Sequence, residues 1–174
     1  MHLSSEIHPF GDFVPHKSKY LVLGSFPARE GGDWFYGSKR NQFWQILESV
    51  YGVGLKTKKK KQRLLSELGV AVADIILKCD RKNGSSLDFN LTNIVYNIRG
   101  IEQILKKHKI QKIFFTSRFV EKKFRGQFKE VVGKFADIEL VTLPSPSPRY
   151  AAVTKAEKIK RYKETLPIRQ LLKS

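Results

Sequence analysis

Gly24-Ser25-Phe26-Pro27, followed after a short loop by Phe35-Tyr36-Gly37-Ser38-Lys39-Arg40-Asn41-Gln42-Phe43-Trp44, is the stretch whose reading decides the fold. It leaves Tyr20 to Gly24, a strand with four apolar residues in five, and crosses a turn rich in Gly and Pro. It then enters a helix that buries two aromatics at its start. From Asn41, the residues Phe43, Ile46, Leu47, Val50 and Tyr51 fall at i, i+3, i+4, i+7 and i+8, which is one helical face. Asn41 is read as the N-cap. A strand that feeds a helix through such a turn is how an open α/β sheet builds a ligand site at the carboxyl end of a strand.

Outward from this stretch, apolar runs and helical periods alternate. Upstream, Met1 to Lys19 carries His8-Pro9-Phe10 and Pro15 with little periodicity, and reads as an irregular lead-in that packs its aromatics on the sheet. Downstream, Lys56 to Lys61 is a basic run broken only by Thr57, expected to be solvated because its like charges repel, and a short helix follows over Gln62 to Leu68. Val70 to Leu77 is a second apolar run with Asp74 inside it, and Arg81 to Asp88, with Gly84-Ser85-Ser86, reads as a loop. Ile101, Ile104 and Leu105 have helical spacing, Ile110 to Thr116 is a β-rich run, and Val120, Phe124 and Phe128 share one face of a helix over Phe119 to Phe128. The last strand, Ile138 to Leu143, is stopped by Pro144, Pro146 and Pro148, which deny the backbone a ladder. Thr154 with Glu157 is a capping-box pattern opening a helix to about Leu166. Strands alternating with helices predict an α/β fold of three layers, with a mainly parallel central sheet of about four strands and helices on both faces, in a single domain over 1–174. Three loops then stand at carboxyl ends of strands: Ser25 to Arg40, Thr116 to Arg118 and Pro144 to Tyr150.

Charge narrows the partners. Lys and Arg number 33 against 16 Asp and Glu, a net +17, and the pI is about 10.0. A field of that sign attracts polyanions, with nucleic acid first and an anionic membrane surface or an unrelated basic surface as the alternatives. The single cysteine, Cys79, can make neither an internal disulfide nor an iron-sulfur cluster nor a zinc knuckle. His2, His8, His16 and His108 have no spaced partners suggesting a metal. No stretch approaches eighteen consecutive apolar residues, and the amino end lacks a signal-peptide core. A soluble cytoplasmic protein is expected, a monomer without cofactor or metal and without a membrane partner.

Leu21-Val22-Leu23-Gly24-Ser25-Phe26-Pro27, Phe35-Tyr36, Arg40-Asn41 and Phe43-Trp44 resemble the opening block of the uracil-DNA glycosylase superfamily, most closely its hypoxanthine-DNA glycosylase branch. Gly69 to Asp80 with Ser86-Leu87-Asp88 resembles the middle block, and Leu143-Pro144-Ser145-Pro146-Ser147-Pro148 the closing one. Together they cover most of the chain in the right order. The resemblance implies a monofunctional DNA glycosylase of base excision repair. Such an enzyme flips a deaminated base, hypoxanthine first and uracil second, and hydrolyses its N-glycosidic bond; its partner is DNA containing a damaged base. The rival from another class is a catalytically inactive nucleic-acid-binding module that retains the fold. A small-nucleotide-binding protein fits less well, because Gly24 to Pro27 lacks the Lys-Ser/Thr and glycine spacing of phosphate loops.

Cleaving a base from deoxyribose passes through a cation-like sugar, so the chemistry needs a base pocket, a positioned water and polar groups for the departing base. The resemblance gives the catalytic role to Asn41, since Phe26 fills the position where other branches carry the activating Asp or Asn; the structural alternative is that Asn41 only caps its helix. Asp74 is the alternative water activator, or else a partner for a nearby Arg. Phe26 and Tyr36 are candidates for stacking on the extruded base, although each can equally be core. Gly24 and Ser25 would offer the base backbone N–H groups. Thr116 and Ser117 stand where the superfamily often has an Asn that reads the base, and a hydroxyl cannot make the two-point amide contact. Asn97 carries over weakly, and Asp88 is a further carboxylate to test. Arg40, Ser145, Ser147, Pro148, Arg149 and Tyr150 form the DNA-contact hypothesis, with Leu143 where most families place a His or Asn. Lys56 to Lys61 would add nonspecific phosphate affinity.

Overall fold

A computed structural model describes residues 3–82 and 88–170. His2, the Gly84-Ser85-Ser86 loop and Ser86-Leu87 of the middle block lie outside the described residues. Elements are numbered in chain order. Strand β2 (Tyr20–Gly24) is flanked on both sides in a four-stranded parallel sheet. Its neighbours are β3 (Val70–Asp74) on one side and β6 (Lys112–Phe115) on the other, with β7 (Glu139–Thr142) beyond β6, giving the order β3-β2-β6-β7. The inner strands read as near-continuous apolar runs because helices cover both of their faces. On one face Leu21, Leu23, Ala71, Ala73, Ile113 and Phe115 pack in a core with α3 (Ile98–Lys107), α4 (Arg118–Gln127) and α5 (Lys129–Lys134). On the other, Val22, Val70, Val72 and Phe114 pack with α1 (Phe43–Tyr51), α2 (Lys58–Leu68) and α6 (Lys155–Thr165). Alternate residues of each strand thus serve opposite cores, the period-2 rule of a sheet between two helical layers.

The expected three-layer α/β fold is present, and α6 opens as its pattern predicts, with Thr154 Oγ1 accepting from Glu157 N at 3.2 Å. Four details differ from the sequence reading. The lead-in contains a strand, β1 (Leu3–Ile7), which pairs antiparallel with β4 (Ile76–Lys82), and β4 pairs with β5 (Leu91–Tyr96) in a second, three-stranded sheet. Apolar Ile7, at 74% exposure, and Val95, at 50%, stand toward solvent, so the apolar-in, polar-out alternation that usually marks a one-sided sheet is lost. The Val70 to Leu77 run divides at Ile75, where the chain leaves one sheet for the other with Ile75 N on Gly24 O and Ile76 N on Ser25 O. The helix expected over Gln62 to Leu68 starts earlier, inside the lysine run: Thr57 caps α2 through Lys60 N, Lys58 to Lys60 stay exposed as expected, and the Lys61 ammonium lies 5.0 Å over the Trp44 ring. The N-cap of α1 is Gln42, not Asn41.

Candidate active site

Strand register builds the site. Gly24 lies opposite Asp74, Leu23 opposite Phe115, and Phe115 opposite Thr142, so the four parallel strands end in step. A cleft of about 1440 Å³ opens over this edge. It is lined by Ser25, Phe26, Tyr36, Arg40, Asn41, Asp74, Thr116, Ser117, Ser145, Ser147, Pro148, Arg149 and Tyr150 and by Asp88; Asn97 and Lys56 to Lys61 do not line it, and of the residues expected in the pocket and the turn one is missing. The exception, Gly24, is buried beneath it.

The floor leaves no room for a side chain at position 24. A Cβ there would stand 2.5 Å from Asp74 Oδ1 and 2.7 Å from the Tyr36 hydroxyl. Gly24→Ala is therefore expected to destabilise the fold by about 1–3 kcal/mol, the usual cost of overpacking, and to displace both polar groups. Thermal denaturation reads the first effect and crystallography the second; a variant as stable as the parent, with Asp74 unmoved, would show that the methyl is accommodated without displacing the floor. Asp74 is 5% exposed, and its Oδ2 accepts from His8 Nε2 at 2.7 Å. Its backbone oxygen accepts from Asn97 Nδ2 at 3.2 Å, and the same amide reaches Asp12 Oδ1 at 3.0 Å, so Asn97 braces the strand end from behind.

Tyr36 stands in the left-handed region at φ 56°, and its ring lies on Phe43 with centroids 4.2 Å apart. Its hydroxyl is closed from solvent and has no hydrogen-bond partner of good geometry among the described residues. Burial first, then the Asp74 charge, pushes the phenol well above its ordinary range; Thr116, which donates to Leu23 O at 3.3 Å, works the other way. The phenol is neutral at any working pH. Phe26 is held between the edge of the His8 ring, 5.6 Å away, and the Arg81 guanidinium, also at 5.6 Å. Arg81 is buried and donates to Glu6 Oε2 at 3.1 Å and Pro27 O at 2.9 Å, tying the turn after β2 to the second sheet. Ser25 Oγ donates to Asp88 Oδ1 at 2.8 Å. Burial raises the Asp88 pKa, the Ser25 bond lowers it, the Asp74 charge raises it and Arg81 lowers it, with a net rise.

Asn41 is half-buried at the mouth of α1, with its N–H on Ser38 O at 3.0 Å and its Oδ1 accepting from Phe43 N at 2.8 Å. That bond fixes the side chain on the cleft wall and leaves the oxygen a second lone pair.

The proline-rich loop is clamped from below. Tyr162 Oη donates to Pro144 O at 2.8 Å, and Gln42 N to Pro146 O at 2.9 Å. Lys158 donates to Ser147 O at 2.9 Å and to Gln42 Oε1 at 3.2 Å, with the Tyr150 ring 5.6 Å from its ammonium. This lysine is 2% exposed, and burial lowers its pKa. Ser145 Oγ accepts from Ser147 N and Ser147 Oγ from Arg149 N, so both hydroxyls stiffen their own turn and leave Pro148 and Arg149 exposed at its tip.

His8, Gln42, Arg81 and Lys158 are the site-building residues that sequence reasoning passed over. His8 had only its aromatic neighbours as a signal, and Lys158 is one cation among several on α6. Among the described residues, no three His, Cys, Asp or Glu side chains are grouped to hold a metal, and no helix is long and apolar enough to cross a membrane.

Residues 10–172 match the family described as the Uracil DNA glycosylase superfamily. The fold is similar to the solution NMR structure of a "putative Uracil DNA glycosylase from Methanosarcina acetivorans", with a TM-score of 0.64 and 18% identity over 94% of this chain and 98% of that one. At that identity the likeness is one of fold alone. No match is found among curated proteins.

Proposed function

The chain belongs to the uracil DNA glycosylase superfamily, and on that premise we propose that it is a monofunctional DNA glycosylase of base excision repair. It acts as a single-domain monomer on DNA carrying a deaminated base, hypoxanthine ahead of uracil, and hydrolyses the N-glycosidic bond. The observation that carries this reading is the convergence of Ser25, Asn41, Asp74 and Thr116 on one cleft at the carboxyl edge of a parallel sheet, in a chain of net charge +17. The flipped base enters over Phe26, with backbone N–H groups at Ser25 and the hydroxyls of Thr116 and Ser117 near its edge. Asn41, held by Phe43 N, orients water against the sugar carbon. Asp74, as the alternative activator, contributes negative charge under a cation-like sugar. Arg40 and the stiffened turn bearing Pro148, Arg149 and Tyr150 grip the strand.

A binding module without catalysis is the second reading, favoured by the engagement of the Asn41 oxygen at the helix start and by apolar Leu143 and Phe26 where polar groups serve elsewhere in the superfamily. Labelled duplexes carrying one hypoxanthine, uracil or xanthine, incubated with excess protein and then treated with alkali to break abasic sites, separate the two. Strand breaks at hypoxanthine are expected. Retained duplex binding with no break at any lesion would leave the module.

A further inference from the structure

His8 belongs to no motif of the chain, yet it closes on the cleft floor. It follows β1, and its N–H on Leu77 O at 2.7 Å carries the ring under Asp74. Phe10, Phe26 and Phe35 surround that ring, with centroids 5.7, 5.6 and 5.6 Å away. The His8 side chain is 6% exposed, and Nε2 lies 2.7 Å from Asp74 Oδ2. A pair so enclosed is weakly screened by salt.

The other ring nitrogen decides what the pair can do. Nδ1 lies 2.7 Å from the Phe10 carbonyl oxygen and 3.1 Å from the Phe10 amide nitrogen. The imidazolium donates Nδ1–H to that carbonyl; the neutral ring, protonated at Nε2, accepts the amide hydrogen at Nδ1. In either state Nε2–H remains on Asp74. Loss of the proton therefore takes the pair from net zero to net minus one without breaking its hydrogen bond. The titratable groups around it are Asp12, which favours the imidazolium, Asp88, which adds negative charge near Asp74, the Arg81 guanidinium across the Phe26 ring, which opposes the Asp88 charge, and the neutral Tyr36 phenol. Burial is the largest influence and disfavours the imidazolium, but the Asp74 hydrogen bond and charge, the Phe10 carbonyl and Asp12 together outweigh it.

We infer that His8 is a positioning residue that acts through Asp74: it holds the carboxylate in the cleft floor and, by releasing its proton to solvent, uncovers a full negative charge beneath the breaking sugar–base bond, so that excision accelerates as His8 deprotonates. The inference rests on the glycosylase reading. A carboxylate neutralised by an adjacent imidazolium does little for a cation-like sugar, whereas an uncovered one in a shielded site attracts it strongly. The sign is fixed by the charge change: the rate rises with pH.

Single-turnover excision of hypoxanthine is measured from about pH 5.5 to 9 for the parent and for His8→Gln, whose amide can donate to Asp74 but does not titrate. The parent rate is expected to rise on the order of tenfold along one limb, with a midpoint above the ordinary histidine value of about 6.5. In His8→Gln the ratio of rates across the same range is expected to fall to within about twofold of one. A limb of unchanged height and midpoint in that variant overturns the inference. NMR titration of the His8 ring in the parent and in Asp74→Asn provides a readout independent of turnover: the midpoint is expected to fall when the opposing charge is removed, and an unmoved midpoint also overturns the inference. Absence of excision at every pH and lesion would sink the glycosylase reading and the acceleration with it, while the titration still decides whether His8 and Asp74 act as one unit.

Discussion

Asn41→Ala is expected to slow single-turnover excision of hypoxanthine by about 10²–10⁴-fold, the range in which a positioned proton-handling or water-orienting group contributes. Duplex affinity should change by less than about threefold, because phosphate contacts carry affinity. The side chain sits at the mouth of α1 with one lone pair committed to Phe43 N. Removing it frees that N–H as well, so a loss of about 1 kcal/mol of stability, typical for a lost helix-end acceptor, accompanies the rate effect. Such a loss leaves the protein folded at assay temperature and cannot account for a thousandfold drop in rate. Asn41→Asp separates the two ends of the amide. The carboxylate keeps an acceptor for Phe43 N and suits the positive end of the helix dipole, so it restores part of the rate if the oxygen holds the water and none if the NH₂ group does. An Asn41→Ala enzyme that cuts at the parent rate would remove Asn41 as catalyst, leave it as a structural acceptor at a helix start, and turn attention to Asp74.

Duplex binding should weaken by about 10³-fold between 50 and 200 mM monovalent salt, a slope of log affinity against log salt near −5. Six cations line the cleft: Arg29, Lys39, Arg40, Arg118, Arg149 and Arg161. All six are exposed and so are free to meet the phosphates of a bound duplex, each of which would release condensed counterions when neutralised. The acidic groups Asp74 and Asp88 lie deeper, near Gly24 and Ser25, where a base and sugar rather than a phosphate would sit. Around the rim the six cations outnumber Glu30, Glu121 and Glu164 two to one, and a predominantly basic rim over an acidic floor suits a polyanion whose reacting centre turns cationic. Titration of a fluorescent duplex at four salt concentrations checks the slope. A slope shallower than about −2 would mean that the cleft does not track a duplex backbone, and that the +17 charge acts only as a diffuse field. Arg149→Ala should reduce the slope by about one, since Arg149 stands exposed at the tip of the turn that Lys158, Tyr162 and Gln42 N hold in place.

Local signals in the chain reached different depths. Strand β2 was legible to the residue, because an unbroken apolar run ending at Gly24 and Pro27 has few alternatives, and α6 was legible from Thr154 and Glu157, whose cap is made between residues three apart. The Ser-Pro turn was legible as a turn because proline removes the N–H that a strand would need. Strands β1 and β5 were not. They lie beside β4 in a small sheet, and apolar Ile7 and Val95 stand exposed where a polar residue would complete the alternation, so their sequences show no strong period. The lysine run misled only over where its helix starts: five like charges argue for solvation, which Lys56 and Lys58 to Lys60 keep, while the Thr57 cap begins α2 within the run and Lys61 turns in over the Trp44 ring.

By itself the sequence determined the layered α/β order, the edge at which the loops gather, the residue types on those loops and the sign of the field around them. Each of these depends on neighbours a few positions apart, or on composition. Tertiary structure alone decided that Asp74 meets His8, 66 positions away, and that Lys158 reaches back 116 positions to Gln42 beneath the Ser-Pro turn. It also decided that a side chain at position 24 is disfavoured, because Asp74 Oδ1 and the Tyr36 hydroxyl occupy the space a Cβ would need. Such pairings follow from strand register and helix docking, which are settled by the burial of two whole cores, and no local pattern of residues records which distant side chains that burial will bring within hydrogen-bonding distance.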